Sequence, residues 1–384
     1  MSIYLKPILT ACYLFPVLAV LFTLPYIIVQ YNKYGSILIL RTGVVYTFIF
    51  YMMTSYFMTI LPLPAIDSVT PESATILLVP FDAVNRWLSG SHFDIANPAT
   101  YIDTFTNADF LQIVFNILLL LPFGVYLRYY FNRKWYQVLL LSFLYSLFFE
   151  LTQLSGLYGI YPYPYRFFEV DDLICNTLGG MLGFALTPAL LFFLPSRQRL
   201  DEIAYKRGEE VSSFRRIFAL LADYGVILLI LTIMTHLSDI SSILPQEADF
   251  FLIPLLSFVY FTLSAIVFSG VSLGKFLVNI RIVNAKTHKK AGVFPLICRN
   301  ALLHVLLIPC PYYIITILSL LSDSYSRRIE ILLVLGVSFL IALAIFFVMN
   351  FCFCFAGRNK DLFYDKICGL TVISTTKQQS QSSL

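Results

Sequence analysis

Polar side chains that could do chemistry gather in one stretch of a very apolar chain, residues 148–184. Two pairs have helical spacing, Glu150 with Gln153 and Asp172 with Asn176, and the basic Arg166 lies between them. In lipid, a carboxylate or an amide is costly unless it is paired or faces a polar cavity. These residues are therefore candidates for ligand binding or for acid–base catalysis.

An earlier amide, Asn116, joins this set. A rise of about 1.5 Å per helical residue places it at nearly the depth of Glu150 and Asn176 in their own helices. One arginine cannot neutralise the carboxylates, which indicates a cation or a cationic ligand group as a partner. Arg166 could also bind a phosphate or a carboxylate through two hydrogen bonds. The predicted ligand-binding residues are Asn116, Glu150, Gln153, Arg166, Asp171, Asp172 and Asn176.

A structural interpretation of the same residues competes with this one. The amides could hydrogen-bond across helices, and Asp171 could cap its own helix. The sequence shows no evident Ser–His or Cys–His pair, and the seven cysteines have no metal-binding spacing. Catalytic residues and metal ligands therefore stay unassigned, and no cofactor is predicted.

Composition sets the class of protein. The chain is 59% hydrophobic and 12% charged, about half the usual ~25% of charged residues. Its apolar runs come near the ~20 residues that cross a bilayer as a helix. We predict an all-α, polytopic integral membrane protein with about nine transmembrane helices, with membrane lipids and not nucleic acid as partners.

Five of these helices precede residue 195. A polar region, 62–107, separates the second from the third, and 76–88 is predicted as a short helix on the membrane surface. Pro122 and Gly124 are expected to interrupt the third helix. The five predicted helices cover residues 7–30, 37–61, 109–129, 135–154 and 170–194.

A hydrophilic linker, 196–211, marks a domain boundary, and about four helices follow it. The run at 301–321 contains Pro309 and Pro311 and could re-enter the membrane without crossing. The alternating segment FLVNIRIV predicts a short strand or hairpin. Residues 375–384 cannot pack and are predicted to be disordered. The four predicted helices cover residues 216–236, 250–269, 301–321 and 329–355.

The distribution of basic residues predicts the orientation, because loops rich in Lys and Arg stay cytoplasmic. The loop with Arg128 and Lys134 and the linker then lie inside, and the loops that begin at Pro62 and Ser155 lie outside. This puts the N-terminus outside the cell membrane, the C-terminus in the cytoplasm, and the polar residues of 148–184 in the outer leaflet.

Three motifs in the first half resemble the VanZ family, which is associated with teicoplanin-type glycopeptide resistance. They are NILLLLPFGVYL at Asn116, ELTQL at Glu150, and RFFEVDDLICNTLGGMLGF from Arg166. The resemblance covers residues 1–195. It implies a membrane protein of the cell envelope and does not by itself supply a reaction.

The second half resembles the RDD family, named for one Arg and two Asp, over residues 212–374. FRRIFALLADYG places Arg216 and Asp223 seven residues apart on one helix face, and Asp365 lies in the closing motif FYDKICGLTVI. The resemblance implies transport in some members, which makes these three residues candidates for ion movement. Alternatively, Asp223 forms a buried ion pair with Lys275 or Arg281. His236 and His304 are interpreted as helix-end or packing residues.

Three hypotheses follow. The first is a binding role at the outer leaflet, for a lipid headgroup, a cell-wall precursor or a glycopeptide, with an effect on antibiotic resistance. The second is an enzyme acting on a lipid-linked substrate through Glu150 and Asp172. The third is an ion- or proton-coupled transporter that uses Asp223. The sequence leaves the oligomeric state open.

Overall fold

The structure is a computed structural model that describes residues 2–71, 76–91, 94, 96–237, 249–321, 327–355 and 361–376. The chain divides into two compact units. The first contains residues 1–24 and 38–200, and the second contains residues 25–37 and 201–384. His92 and residues 377–384 of the predicted disordered tail lie outside the described residues.

Helices dominate the chain up to residue 208, and their bounds follow the apolar runs. Two short parallel strands, β1 (Ile76–Leu77) and β2 (Phe168–Glu169), pair Ile76 with Phe168. The predicted linker contains a helix, α9. The helices are α1 (Ser2–Tyr34), α2 (Ile39–Ile60), α3 (Asp82–Gly90), α4 (Ala99–Phe105), α5 (Ala108–Tyr129), α6 (Trp135–Leu154), α7 (Gly156–Gly159), α8 (Val170–Leu190) and α9 (Arg197–Gly208).

The rest of the chain adds helices and one antiparallel strand pair. Strands β3 (Ile280–Asn284) and β4 (Leu370–Ser374) pair Ile282 with Val372. The predicted strand at 276–283 is therefore present only from Ile280 onward, since Phe276 and Leu277 end a short helix, and its partner is the closing motif. A π-helix, Ala301–Leu307, follows α13. The helices are α10 (Ser213–Leu237), α11 (Asp249–Val267), α12 (Leu273–Leu277), α13 (Val293–Asn300), α14 (Cys310–Leu320), α15 (Arg327–Phe355) and α16 (Phe363–Ile367).

The polytopic all-α architecture is confirmed. Among the described residues, seven helices are long and apolar enough to cross a membrane: α1, α2, α5, α6, α8, α10 and α15. A pair bent by 42°, Val293–Leu307 with Cys310–Ser319, makes up to eight. The shorter apolar helix at Leu252–Val267 would be the ninth if it also crosses. The bend falls at the break around Pro309, where the sequence predicted an interrupted run.

The third predicted helix is not interrupted. Helix α5 continues through Pro122 and Gly124 without a break, so that part of the prediction was wrong. Proline is tolerated inside membrane helices because neighbouring groups satisfy the backbone that it leaves free. Phe123 and Leu120 beside it are buried in the core that α5 forms with α6, and this packing holds the helix together across the proline.

Glycines on α8 allow the backbones of α5 and α8 to touch. A Cβ at Gly179 would lie 2.0 Å from the carbonyl oxygen of Ile117, and a Cβ at Gly183 would lie 1.9 Å from that of Leu121. The two glycines form the G-x-x-x-G spacing that brings membrane helices together. This contact fixes α8, and with it the polar residues at its start, against α5.

Gly183→Ala is expected to destabilise the first unit by about 1–3 kcal/mol, because the added methyl group overpacks a backbone contact. Gly43→Ala in α2 is the matched control, since a Cβ there meets nothing within 4 Å. The measurement is the thermal unfolding midpoint of purified protein in detergent. Equal midpoints for the two variants would contradict the contact.

Candidate functional site

The start of α8 and the facing side of α5 share a hydrogen-bonded set of polar side chains. Asp172 Oδ1 accepts hydrogen bonds from Asn116 Nδ2 at 2.5 Å and from Gln112 Nε2 at 3.2 Å. Gln112 Nε2 also lies 3.1 Å from Glu169 Oε2. One amide therefore contacts two carboxylates, which brings Glu169 and Asp172 close together.

Helix α6 adds a third carboxylate. Glu150 is 1% exposed, and its Oε2 accepts a hydrogen bond of 3.1 Å from the backbone N–H of Glu169. Its charge interacts with those of Asp172, Glu169 and Arg166. We call Glu150, Glu169 and Asp172 the carboxylate cluster. Three elements, α5, α6 and the β2–α8 junction, hold it in place.

Arg86 of α3 lies at the edge of this cluster. Its guanidinium contacts Asp82 and Asp109, the latter at 3.1 Å, and lies 3.9 Å from Glu169 Oε2. The hydrogen bond to Asp109 raises the pKa of Arg86 above its ordinary value. Arg86 is thus shared among three carboxylates and neutralises the cluster only in part.

Arg166, the predicted anion-binding residue, is anchored differently. Its Nη2 donates to the carbonyl of Leu61 at 3.3 Å, and within the described ranges it forms no ion pair with a carboxylate. The hydroxyl of the adjacent Tyr165 is buried and has no hydrogen-bond partner among the described residues. Burial raises the pKa of Tyr165 to about 12, so this hydroxyl stays protonated.

The other predicted residues connect elements of the first unit. Asp171 accepts hydrogen bonds from the backbone N–H groups of Phe81 and Ala83 at 2.5 and 2.7 Å, so it caps α3 instead of its own helix. Gln153 Nε2 donates to the Thr59 carbonyl at 2.9 Å. The positions predicted for binding thus divide into a cluster around Asp172 and a set that joins helices.

Asn176 lies one turn below Asp172 on α8. Its Nδ2 donates to Ser146 Oγ of α6 at 3.0 Å. Its Oδ1 is buried and has no partner in the part of the chain that the structure describes. A buried polar atom without a partner is uncommon in folded proteins, so this oxygen is a candidate contact for a ligand donor.

Three contributors were absent from the predicted site. Glu169 and Arg86 lie outside the apolar runs, where a charged residue is ordinary and signals little. Gln112 could have been found, because it precedes Asn116 by four residues and helical neighbours at that spacing share a face. Among the described residues, no group of three or more His, Cys, Asp or Glu side chains is arranged to hold a metal ion.

In the second unit, Asp223 is fully buried and held by three donors. They are Tyr260 Oη at 2.8 Å, Ser272 Oγ at 2.5 Å and the backbone N–H of Gly274 at 2.7 Å. Lys275 Nζ donates to the same Ser272 hydroxyl at 2.9 Å. The alternative partner, Arg281, is exposed.

The basic residue connected to Asp223 is Lys275, and the Ser272 hydroxyl joins the two side chains. Burial lowers the pKa of Lys275 to about 8, and the positive charge of Arg299 acts in the same direction. The interaction with Asp223 opposes that shift. The carboxylate of Asp223 therefore stabilises the protonated form of Lys275, which burial disfavours.

Arg216 and Asp365 meet at a separate network. Arg216 Nη1 lies 3.4 Å from Asp365 Oδ2, and its Nη2 lies 3.5 Å from Asp361. Asp365 Oδ1 accepts a 2.6 Å hydrogen bond from Arg299 Nε. Arg216 and Asp223, seven residues apart, therefore do not form an ion pair with each other, because each side chain contacts different partners.

Arg215, next to Arg216 on α10, is the fully buried arginine of this region, although the sequence motif pointed to Arg216. It is 0% exposed, whereas the side chain of Arg216 is 15% exposed. Its guanidinium donates to the carbonyls of Val278, Asn279 and Gly208 at 2.6, 2.8 and 3.1 Å. Its two terminal nitrogens also donate to the hydroxyls of Ser374, the last residue of β4, and of Thr376 just beyond it.

Comparison with protein families decides what the two parts are. A family model described as VanZ/LLP1 matches residues 48–194, and one described as RDD family matches residues 211–369. The chain joins a VanZ-like domain to an RDD domain. No curated protein and no solved structure matches it.

These matches confirm the predicted fusion. The VanZ-like match contains the whole carboxylate cluster, and the RDD match contains Arg215, Asp223 and Asp365. Together with the apolar helices, they make this a multi-pass membrane protein. The VanZ-like match begins inside α2, so it does not include α1.

Proposed function

We propose that the VanZ-like domain binds a cationic group of a lipid headgroup, a cell-wall precursor or a glycopeptide at the carboxylate cluster. The observation that carries this proposal is the gathering of Glu150, Glu169 and Asp172 on three elements, with Arg86 only partly available to neutralise them. Buried carboxylates require a positive partner or a proton. An ammonium group would supply the missing charge.

Access favours a ligand that arrives at the end of the helix bundle. The Glu169 side chain is 17% exposed and Asp172 is half-buried, whereas Glu150 is 1% exposed. An ammonium group would meet Glu169 and Asp172 first and interact with Glu150 at longer range. An anionic part of the same ligand would lie near Arg166, whose guanidinium forms no ion pair with the acidic residues described.

The proposed orientation places this end of the bundle outside the cell membrane. It is supported by the basic residues Arg128 and Lys134 at the opposite ends of α5 and α6, since such residues favour the cytoplasmic side. A site there would meet extracellular glycopeptides and surface-exposed precursors. We therefore expect binding to change how much antibiotic reaches its target, with resistance to teicoplanin as the readout.

The test is teicoplanin susceptibility of a sensitive bacterium that expresses the intact chain. Glu150→Gln, Asp172→Asn and Arg166→Ala should each remove most of the protection at matched expression. Asp94→Asn is the control for a lost acidic charge, because Asp94 is exposed, and Asp223→Asn is the control in the RDD domain. Protection that survives Glu150→Gln, Asp172→Asn and Arg166→Ala, or an intact chain that gives none, would reject the resistance role.

A further inference from the structure

The RDD domain contains a cavity of about 290 Å³. Its walls are mainly apolar and come from α10, α11, the π-helix and α15. An apolar cavity of roughly 150 Å³ holds benzene, and small-molecule sites begin near 300 Å³. This cavity is therefore large enough for a head group and part of one hydrocarbon chain, and too small for a two-chain lipid.

A polar atom of His304 in the cavity wall has no hydrogen-bond partner among the described residues. His304 is 1% exposed, its Nδ1 lies 3.1 Å from the Tyr224 hydroxyl, and its Nε2 is buried with no partner among the described residues. The ring stacks on Phe261 with centroids 3.9 Å apart and planes 8° apart. Stacking and the Tyr224 contact fix the ring, so Nε2 is a preorganised contact point.

The charges around His304 indicate which ligand atom belongs there. Of the charged side chains that line the cavity, Arg216, Lys275 and Arg299 are basic, and Asp223 is acidic. Asp223 is already held by three donors, as described above. Arg216 and Arg299 pair with Asp365, but Asp365 is not among the residues that line the cavity, so three of the four charged side chains that line it are basic. The cavity therefore favours an oxygen atom that carries negative charge.

The position of the opening indicates where the ligand comes from. Val348 lines the cavity and is 58% exposed, so the cavity reaches the protein surface beside α15. That helix is apolar and long enough to span a membrane. A ligand entering at Val348 would come from the hydrocarbon region of the bilayer.

We propose that this cavity binds the anionic head and the adjoining part of the chain of a single-chain lipid. The head accepts a hydrogen bond from His304 Nε2 and interacts with Lys275 and Arg299. The chain leaves past Val348 into the bilayer. A fatty acid carboxylate and a lysophospholipid phosphate share this chemistry. The site is independent of the carboxylate cluster in the VanZ-like domain.

The experiment uses the full chain in lipid nanodiscs and a diazirine analogue of palmitate as the photoreactive probe. Peptide mass spectrometry then locates the crosslinks, which we expect on cavity-lining residues of α10 and α15. Palmitate or lysophosphatidic acid should compete at about tenfold lower concentration than hexadecanol, because a charged head gains stronger hydrogen bonds. The stronger of the two anionic competitors identifies the source of the ligand.

Two variants test the assignment. His304→Phe keeps an aromatic ring on Phe261 and removes Nε2, so the anionic competitors should weaken about tenfold. Val348→Trp fills the opening from an exposed position and should abolish cavity crosslinks without disturbing the fold, whereas Val348→Ala should retain them. Equal competition by hexadecanol, or crosslinks in the cavity that persist in Val348→Trp, would overturn the proposal.

Discussion

Arg215→Met is expected to destabilise the RDD domain by about 3 kcal/mol, since it leaves two buried carbonyls without that donor and each unsatisfied group costs roughly 1–3 kcal/mol. The methionine fills part of the volume of the arginine side chain and removes the cost of burying a charge. The net destabilisation therefore stays near the lower end of the summed cost of the carbonyls. The two carbonyls belong to Gly208 and Val278, whereas the third carbonyl that Arg215 contacts, that of Asn279, also accepts a hydrogen bond of 2.8 Å from the backbone N–H of Thr375.

The location of these carbonyls explains why an arginine is required. Gly208 is the last residue of α9, and Val278 caps the end of α12. Helix C-termini leave carbonyls unpaired and carry partial negative charge. A planar guanidinium can satisfy several of them at once, and the ring of Tyr31 lies 5.9 Å from its central carbon. Arg215 thus joins two helix ends, with no acidic partner among the described residues.

The measurement is the unfolding midpoint and the monodisperse yield of purified protein in detergent. Arg207→Met is the matched control, because Arg207 is exposed at the end of α9 and its loss should change stability by less than about 0.5 kcal/mol. Arg215→Lys should fall between the two, since an ammonium lacks the fork that reaches all three carbonyls. A tolerated Arg215→Met would show that these carbonyls find other donors.

The sequence predicted the helices well because each is an uninterrupted apolar run, and a run of that kind has few other structures in a membrane. It was less informative on which of two adjacent arginines is buried. A seven-residue spacing from Asp223 selects Arg216, yet Arg215 is the one enclosed by helix ends. The partners of Arg215 lie far along the chain, at Val278 and Thr376, and no local pattern reveals them.

The carboxylate cluster shows the same limit. Depth along each helix predicted that Asn116 lies level with Asn176, but the structure pairs Asn116 with Asp172, one turn away on the same helix. Depth does not define rotation, so it could not distinguish Asp172, which faces α5, from Asp171, which caps α3. Adjacent helical residues point about 100° apart. Their partners decide their roles: those of Asp172 lie on α5, and those of Asp171 lie at the start of α3, in the polar region before α5.

Asp365→Asn is expected to cost about 3–5 kcal/mol, the range for removing one partner of a buried ion pair. The Asp365 side chain is 1% exposed and that of Arg299 is 6% exposed. Without the carboxylate, Arg299 stays buried beside a neutral amide and near Lys275. The unfolding midpoint in detergent measures the effect.

Asp361→Asn gives the matched comparison, because Asp361 pairs with the same Arg216 but its side chain is 23% exposed. The contribution of an ion pair falls towards about 0–1 kcal/mol as its charges gain contact with water, and an asparagine keeps an oxygen for the Thr371 hydroxyl, so this variant should cost clearly less than Asp365→Asn. Equal effects at the two aspartates would show that burial does not determine the strength of this network.

The double variant Asp365→Leu with Arg299→Met separates the charge from the packing. Replacing both partners of a buried ion pair by apolar side chains is often neutral, and Arg216, the second partner of Asp365, keeps its contact with Asp361. The double variant should therefore be more stable than Asp365→Asn alone, and the two changes should not be additive. It also removes one of the basic groups that line the cavity. A stable double variant that no longer prefers anionic over neutral single-chain lipids would therefore assign Arg299 to ligand binding and Asp365 to holding it in place.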